Sequence, residues 1–238
     1  MRTRLIPLTL IALAATYVSS WGAPFVPPGL QPGDSYHLAF LTAGVHDAIS
    51  ADIAVYNAFV QKQAELNPAA TGTDVGVKWY AIASTEAVDA RDNALVSAPV
   101  YLFNAFNQLK VADGYADMWD GDLQLAIARD QYGIDKPPTG DPDLVWTGSI
   151  PDGTAYSYPL GSGGLGMGGG IGVGEVTRTD RWMHCCAGVE TTLHELYALS
   201  EKLVVPIPEP SSGTMCLLFA LAAAAMTKRS WAARSLRA

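Results

Sequence analysis

Apolar positions are distributed unevenly along the chain: two long, almost unbroken runs stand near its ends, with shorter runs broken by polar turns between them. Within residues 34–205, Tyr36–Leu41 reads as a buried strand. Ile49, Ile53, Tyr56 and Val60 recur at helical spacing, with Asp52, Gln61, Lys62 and Glu65 between them, which predicts an amphipathic helix capped by Asp47 or Ser50. Val77–Ala83 is a second strand, Val88–Val96 a short helix and Val100–Phe103 a third strand. Ala116–Leu125 is expected to be helical, Leu144–Thr147 to be a strand before a Gly/Pro turn, and Leu196–Val205 to be a closing strand. Strands and helices mix without a regular βαβ rhythm and no internal repeat is visible, so the expected class is α+β in one domain.

The end runs carry separate information. At the start, Arg2 and Arg4 precede an apolar run from Leu5 to Val18, followed by Ser19, Ser20, Trp21 and Gly22. A positive n-region, an apolar h-region and small residues at the boundary are the parts of a secretory signal peptide, residues 1–22. Cleavage between Gly22 and Ala23 is the first placement, after Ser20 the second, and a retained membrane anchor the competing reading; all three export the body. Residues 23–33 hold four prolines and read as an extended lead-in. At the other end Thr214–Thr227 is apolar and Lys228-Arg229 follows. Those residues as a helix rise about 21 Å against a hydrocarbon core of about 30 Å. Counting from Ser211 reaches the lower limit for a span. Lys228 and Arg229 would flank that span on the cytoplasmic side and leave the body outside.

The chain has 238 residues, 49% apolar and 16% charged, which excludes a disordered polar chain. Its formal net charge of −8 understates the acidity of the body. Residues 1–22 and 211–238 hold six of the 15 basic residues and no acid, leaving 23 acidic against nine basic side chains between them, a balance of −14. Such a body is repelled by nucleic acid and anionic lipid, so no nucleic-acid partner is expected.

Ahead of the C-terminal run stands Pro208-Glu209-Pro210-Ser211-Ser212, where each proline fixes φ and disfavours helix in its neighbour. This order, Pro-Glu-Pro with serines, a short apolar helix and a basic terminus, resembles the PEP-CTERM sorting signal of Gram-negative bacteria over residues 206–234. The basic cluster is looser than usual, being interrupted by Trp231 and alanines. The resemblance implies an exosortase-type sorting enzyme that recognises Pro208, Glu209 and Pro210 and passes the protein outward, with signal peptidase and the membrane as the other partners. The implied location is the inner membrane, body outside, and then the cell surface or extracellular matrix. A plain anchor behind a proline-rich linker is the alternative.

A second resemblance covers most of residues 36–203. Trp79-Tyr80-Ala81-Ile82-Ala83-Ser84, Asp89-Ala90-Arg91-Asp92, Pro99–Phe103, Asp117–Gly121, Val145-Trp146-Thr147-Gly148, Asp152-Gly153 and Leu196–Leu199 follow one another in an order similar to the endostatin-like branch of the C-type-lectin-like fold. That fold implies two small sheets, long loops, and Trp146 filling core beside a Gly148 turn. The sugar-binding triplets Glu-Pro-Asn, Gln-Pro-Asp and Trp-Asn-Asp are absent, and so are the paired cysteines.

Candidate chemistry is sparse. Cys185 and Cys186 are adjacent and Cys216 lies in the tail, so a vicinal disulfide, an intermolecular bond or reduced thiols all stay open. His184 before them invites a metal reading, but three consecutive residues cannot converge on one tetrahedral centre. His194-Glu195 lacks a second histidine four residues on; Glu190 would share a helical face with His194. His37 and His46 have no readable partner. Residues 161–174 hold nine glycines and, despite a Gly-x-Gly-x-x-Gly spacing, read as a surface loop. Asp113, Asp117, Asp120 and Asp122, with Asp141, Asp143 and Asp152 further on, lack the alternation of a calcium loop; Asp117, Asp120 and Asp122 are the calcium candidates. No other cofactor is expected. The expectation is a surface or matrix protein with a non-catalytic binding domain; the alternatives are a calcium-dependent lectin-like carbohydrate binder and an envelope enzyme.

Overall fold

Among the described residues, nine strands join in one hydrogen-bonded network around the antiparallel pair formed by the first and the last long strands. The computed structural model describes residues 24–104, 109–137, 143–163 and 170–208. Strand β1 (Ser35–Leu41) pairs in parallel with β3 (Val100–Leu102) and antiparallel with β8 (Glu195–Ser200). The other side of β8 is shared between β2 (Trp79–Ala81), antiparallel, and β5 (Leu144–Trp146), parallel. Strand β4 (Lys110–Ala112) extends the sheet beyond β3, and β6 (Ile171–Glu175) and β7 (Cys186–Gly188) extend it beyond β5. The class is α+β, with a mainly β framework and few helices. The endostatin-type resemblance implies two small sheets, whereas here the strands form one network.

Both faces of the network are covered, which explains why its strands are apolar at consecutive positions rather than at alternate ones. Tyr36, Leu38, Phe40, Trp79, Tyr101, Phe103, Trp146, Leu196 and Ala198 face one core. Ala39, Leu41, Val100, Leu102, Val145, Tyr197 and Leu199 face the other. Helix α1 (Ile53–Ala64) buries Tyr56, Val60 and Ala64 against the first core. Asp52, rather than Asp47 or Ser50, caps it, its carboxylate accepting the Ala54 N–H at 2.9 Å. The helix starts later than Ile49 because Ser50 is held outside it, its carbonyl accepting the Tyr56 hydroxyl. The lead-in is docked rather than free: Pro27 is buried, Phe25 and Val26 pack half-buried on the first core, and the Phe25 carbonyl accepts the Tyr36 hydroxyl at 3.2 Å.

Three further expectations change. The helices expected over Val88–Val96 and Ala116–Leu125 each shrink to one turn, α3 (Ala90–Asn93) and α4 (Tyr115–Met118); the short α2 (Pro68–Thr71) falls between α1 and β2. After α4, Trp119 turns inward to stack on Trp182 at 5.9 Å, and Gly121 reverses the chain at φ +103°. The end of the glycine-rich stretch is not surface loop: Ile171 and Val173 are fully buried in β6. Its glycines serve close packing, since a Cβ on Gly174 would overlap the Trp182 carbonyl and one on Gly172 would press on Tyr156.

The closing strand expected over Leu196–Val205 is broken into β8 and β9 (Leu203–Val204). Ala39 pairs with Leu199 while Tyr36 pairs with Leu203, so one extra residue is accommodated on the later strand. The Ser200 hydroxyl stands in for the ladder there, accepting the Leu38 N–H at 2.9 Å. A bulge of this kind re-aims the side chains that follow it. Glu201 and Lys202 accordingly stand exposed.

Candidate functional site

The bulge forms one wall of a groove of about 560 Å³. Ser200, Glu201 and Lys202 line it on the bulge side, together with Ile53 of α1, Tyr80 of β2, Val88, then Asp92 and Asn93 of α3, and Leu95 and Ser97 beyond it. Helix α3 is positioned there by a fixed set of amide bonds. Asn57 of α1 accepts the Ala81 N–H at 2.9 Å and exchanges two bonds with Asn93, at 2.8 and 2.9 Å, and Asn93 also donates to the Ala81 carbonyl at 2.7 Å. One turn further along, Gln61 accepts the Trp79 N–H. Side chains thus occupy the outer edge of β2 where another strand would otherwise pair.

His37 lies beneath the groove, 1% exposed. Its Nδ1 donates to the Ser200 carbonyl at 2.9 Å and its Nε2 accepts the Ser97 N–H at 3.1 Å, which fixes the neutral tautomer. Burial is the main reason its pKa lies below the ordinary value, with Lys202 acting in the same direction. Ser97 Oγ is 3.4 Å from Nε2, but the single lone pair on that nitrogen is directed at the backbone N–H. The histidine therefore braces the bulge and the Ser97 turn and does not activate the Ser97 hydroxyl. Leu95, 70% exposed, together with Ile53 and Val88 gives the groove an apolar surface; Asp92, Glu201 and Lys202 give it a charged rim. The Glu201 carboxylate is partly engaged, accepting the Lys78 N–H at 3.1 Å. Such an arrangement can seat an apolar group carrying polar ends.

The acidic candidates hold turns. Asp117 accepts the Asp113 N–H and the Gln124 amide, both at 2.7 Å, and Asp113 pairs with Lys110. Asp120 accepts the Asp122 N–H at 3.0 Å, and Asp152 accepts Thr154 through its N–H and hydroxyl. Asp143 lies 3.7 Å from Lys136, which also binds Glu195. Among the described residues no three His, Cys, Asp or Glu side chains come together as a metal site. Glu190 and His194 do not share a helical face, because residues 189–194 turn back on loop 44–48 through paired His46–His194 backbone bonds. His194 instead packs edge-on to Trp146 at 4.8 Å, and His46 packs on Tyr56 and Phe59. Trp146 is buried, donates to the His46 carbonyl at 2.9 Å, and precedes Gly148 at φ +59°.

His184 packs on Tyr156 at 4.4 Å, and burial lowers its pKa. Cys185 and Cys186 are both free thiols; burial, and then the adjacent Cys186, push the Cys185 thiol up to about 12.

The chain leaves the body at Val205, which exchanges backbone bonds with Asp34 and Gly33, both at 2.9 Å. Pro206, Ile207 and Pro208 beyond it are exposed. Gly22, Ala23, Glu209, Pro210, Cys216, Lys228, Arg229 and Asp141 lie outside the described residues. Among the described residues no helix is long and apolar enough to cross a membrane.

The groove residues Tyr80, Asp92, Leu95 and Lys202 were not distinguished by sequence pattern. An apolar residue in a loop and a charge in a closing strand are ordinary until the bulge brings them to one hollow. Compared with protein-family models and with curated proteins, the chain matches none.

Proposed function

We propose that this is an exported cell-surface or extracellular-matrix protein whose body is a non-catalytic binding domain, delivered and trimmed through its C-terminal Pro-Glu-Pro segment. The observation that carries this reading is the exit of the chain: after the last backbone bonds of Val205, Pro206, Ile207 and Pro208 are exposed and make no backbone hydrogen bond among the described residues, with only the Ile207 side chain resting beside Gly33. A processing enzyme needs an accessible, extended segment, and two prolines around Ile207 hold the backbone in that form. Pro208, Glu209 and Pro210 are the recognition residues, an exosortase-type enzyme is the partner, and the apolar run ending at Lys228 and Arg229 retains the chain at the inner membrane until it is cut. The order strand, helix, strand, Trp146-Thr147-Gly148 turn and closing strand supports a C-type-lectin-like body. The groove between α3 and the β8–β9 bulge is its ligand site.

Intact mass of the protein recovered from its native envelope tests the reading. Loss of about the first 22 residues and of everything beyond the Pro-Glu-Pro segment is expected. A Pro208→Ala, Glu209→Ala, Pro210→Ala variant should stay uncut and membrane-held. Normal processing of that variant, or a native protein that keeps its tail, overturns the proposal.

A further inference from the structure

One lysine and two carboxylates meet at the start of the β5–β8 pair. Lys136 Nζ donates to Glu195 Oε1 at 2.5 Å and lies 3.7 Å from Asp143 Oδ1. The side chains of Lys136, Glu195 and Asp143 are 23%, 19% and 16% exposed. Among the described residues, no other ion pair has both partners below a quarter. Val145 pairs with Glu195 across the two strands. Alternate residues of an extended chain share a face, so Asp143 and Glu195 stand next to Val145 and Tyr197, both fully buried in the second core.

All three backbones are held. The Lys136 N–H donates to the Ala128 carbonyl at 2.7 Å, in a hairpin whose Arg129 carbonyl accepts the Leu41 N–H. The Asp143 carbonyl accepts the Val176 N–H at 2.9 Å, and Glu195 opens β8. An amine nitrogen, a carboxyl carbon and a proton acceptor are thus kept together by the fold. Holding ions away from water is costly, and pairing them offsets only part of that cost. Condensing an ammonium with a carboxylate into a neutral amide removes it, so a covered site favours the amide where open water favours the ions.

We propose that Lys136 and Asp143 condense into an Nζ–Cγ isopeptide bond, with Glu195 carrying the protons. Glu195 takes one proton from the Lys136 ammonium and delivers it to a carboxyl oxygen of Asp143. The freed lone pair of Nζ attacks Cγ. A second proton leaves Nζ by the same route, the Cγ–O bond to that oxygen breaks, and the oxygen departs as water. One ammonium and one carboxylate become one amide and one water, with no oxidant or reductant, and Glu195 is returned unchanged. A nucleophile reacts from about 3–3.5 Å, and groups held in that way reach effective concentrations on the order of 10⁵ M and above. The flexible stem of Lys136 closes the remaining distance.

The product is a covalent ring closed between residues 136 and 143. A cut of the chain anywhere between them would leave the two halves joined, which suits a protein displayed outside the cell. The bond depends neither on export nor on trimming of the tail, so its failure and theirs are separately readable.

The full chain, purified in detergent, is weighed intact and then digested with trypsin. Residues 130–178 are released as one peptide, because Pro137 follows Lys136. Chain and peptide should both be lighter than their sequences by the mass of one water. Fragmentation should confine the loss to residues 136–143 and yield no backbone fragments between them. Asp152-Gly153 lies in the same peptide and can lose water as a succinimide, which hydroxylamine opens; the isopeptide should survive hydroxylamine. Lys136→Arg and Asp143→Ala chains should have full mass. Glu195→Gln keeps the shape of the side chain and an oxygen for Nζ. Followed in freshly synthesised chain, it should form the bond at least ~100-fold more slowly than the parent. A parent of full mass, a loss that hydroxylamine opens or that maps to Asp152-Gly153, or equal rates in the parent and Glu195→Gln overturns the proposal.

Discussion

Replacing Asn57 with alanine removes the amide that ties α1, β2 and α3 together. The Ala81 N–H loses its acceptor in a residue with no solvent exposure, and Asn93 loses both bonds to Asn57. An orphaned buried donor costs about 1–3 kcal/mol, while half-buried Asn93 recovers part of its loss from water, so the expected destabilisation is about 2–4 kcal/mol. For a domain of this size that is a fall in Tm of roughly 4–16 °C. Urea unfolding followed by tryptophan fluorescence measures it. The midpoint should drop with the slope unchanged, because the surface exposed on unfolding stays the same. Val55→Ala, on the exposed side of the same helix, is the control and should stay within about 0.5 kcal/mol of the parent. An Asn57→Ala chain as stable as that control would show that the amide bonds do not hold the edge of β2, and the account of how the groove wall is positioned would fail with them.

Gly174→Ala should prevent recovery of soluble folded protein, because the added Cβ would overlap the Trp182 carbonyl of the backbone itself; a chain with a parent-like melting profile would refute that packing. His37 makes stability depend on pH. Its folded pKa lies below the ordinary value of about 6.5, so the unfolded chain binds a proton first on acidification. Its contribution is present above about pH 6.5 and declines as pH falls toward the folded pKa. Urea midpoints should fall between pH 7 and pH 5, and His37→Gln should flatten that fall; equal slopes would assign the effect to His184 and His194, whose values are also lowered by burial.

The pattern of apolar positions was sufficient for β1, β2, β3, β5 and the body of α1, because each buries a run against the two cores. It failed where one residue decided the geometry. Nothing in Leu196–Val205 marks an extra residue at Glu201–Lys202, since a bulge changes pairing without changing composition. The shortening of α4 has a different reason: burying Trp119 against Trp182 outweighs continuing a helix whose next positions hold Asp120 and Gly121. In β6 glycine concealed a strand, because at Gly172 and Gly174 its role is to lack a Cβ beside Tyr156 and Trp182. The groove could not be read at all: its parts lie on three segments far apart in the chain.

The junction where the chain leaves the body has a mechanical consequence. A pull on the C-terminal segment meets first the two Val205 bonds and the two residue pairs of β9, which load one after another, as in peeling, rather than together. Little force is needed to strip them, and the next residues inward are Lys202, Glu201 and Ser200. Tension on the tail therefore draws Val205 and Leu203 out of the rim of the first core and reaches the groove wall next, before the central strands are loaded.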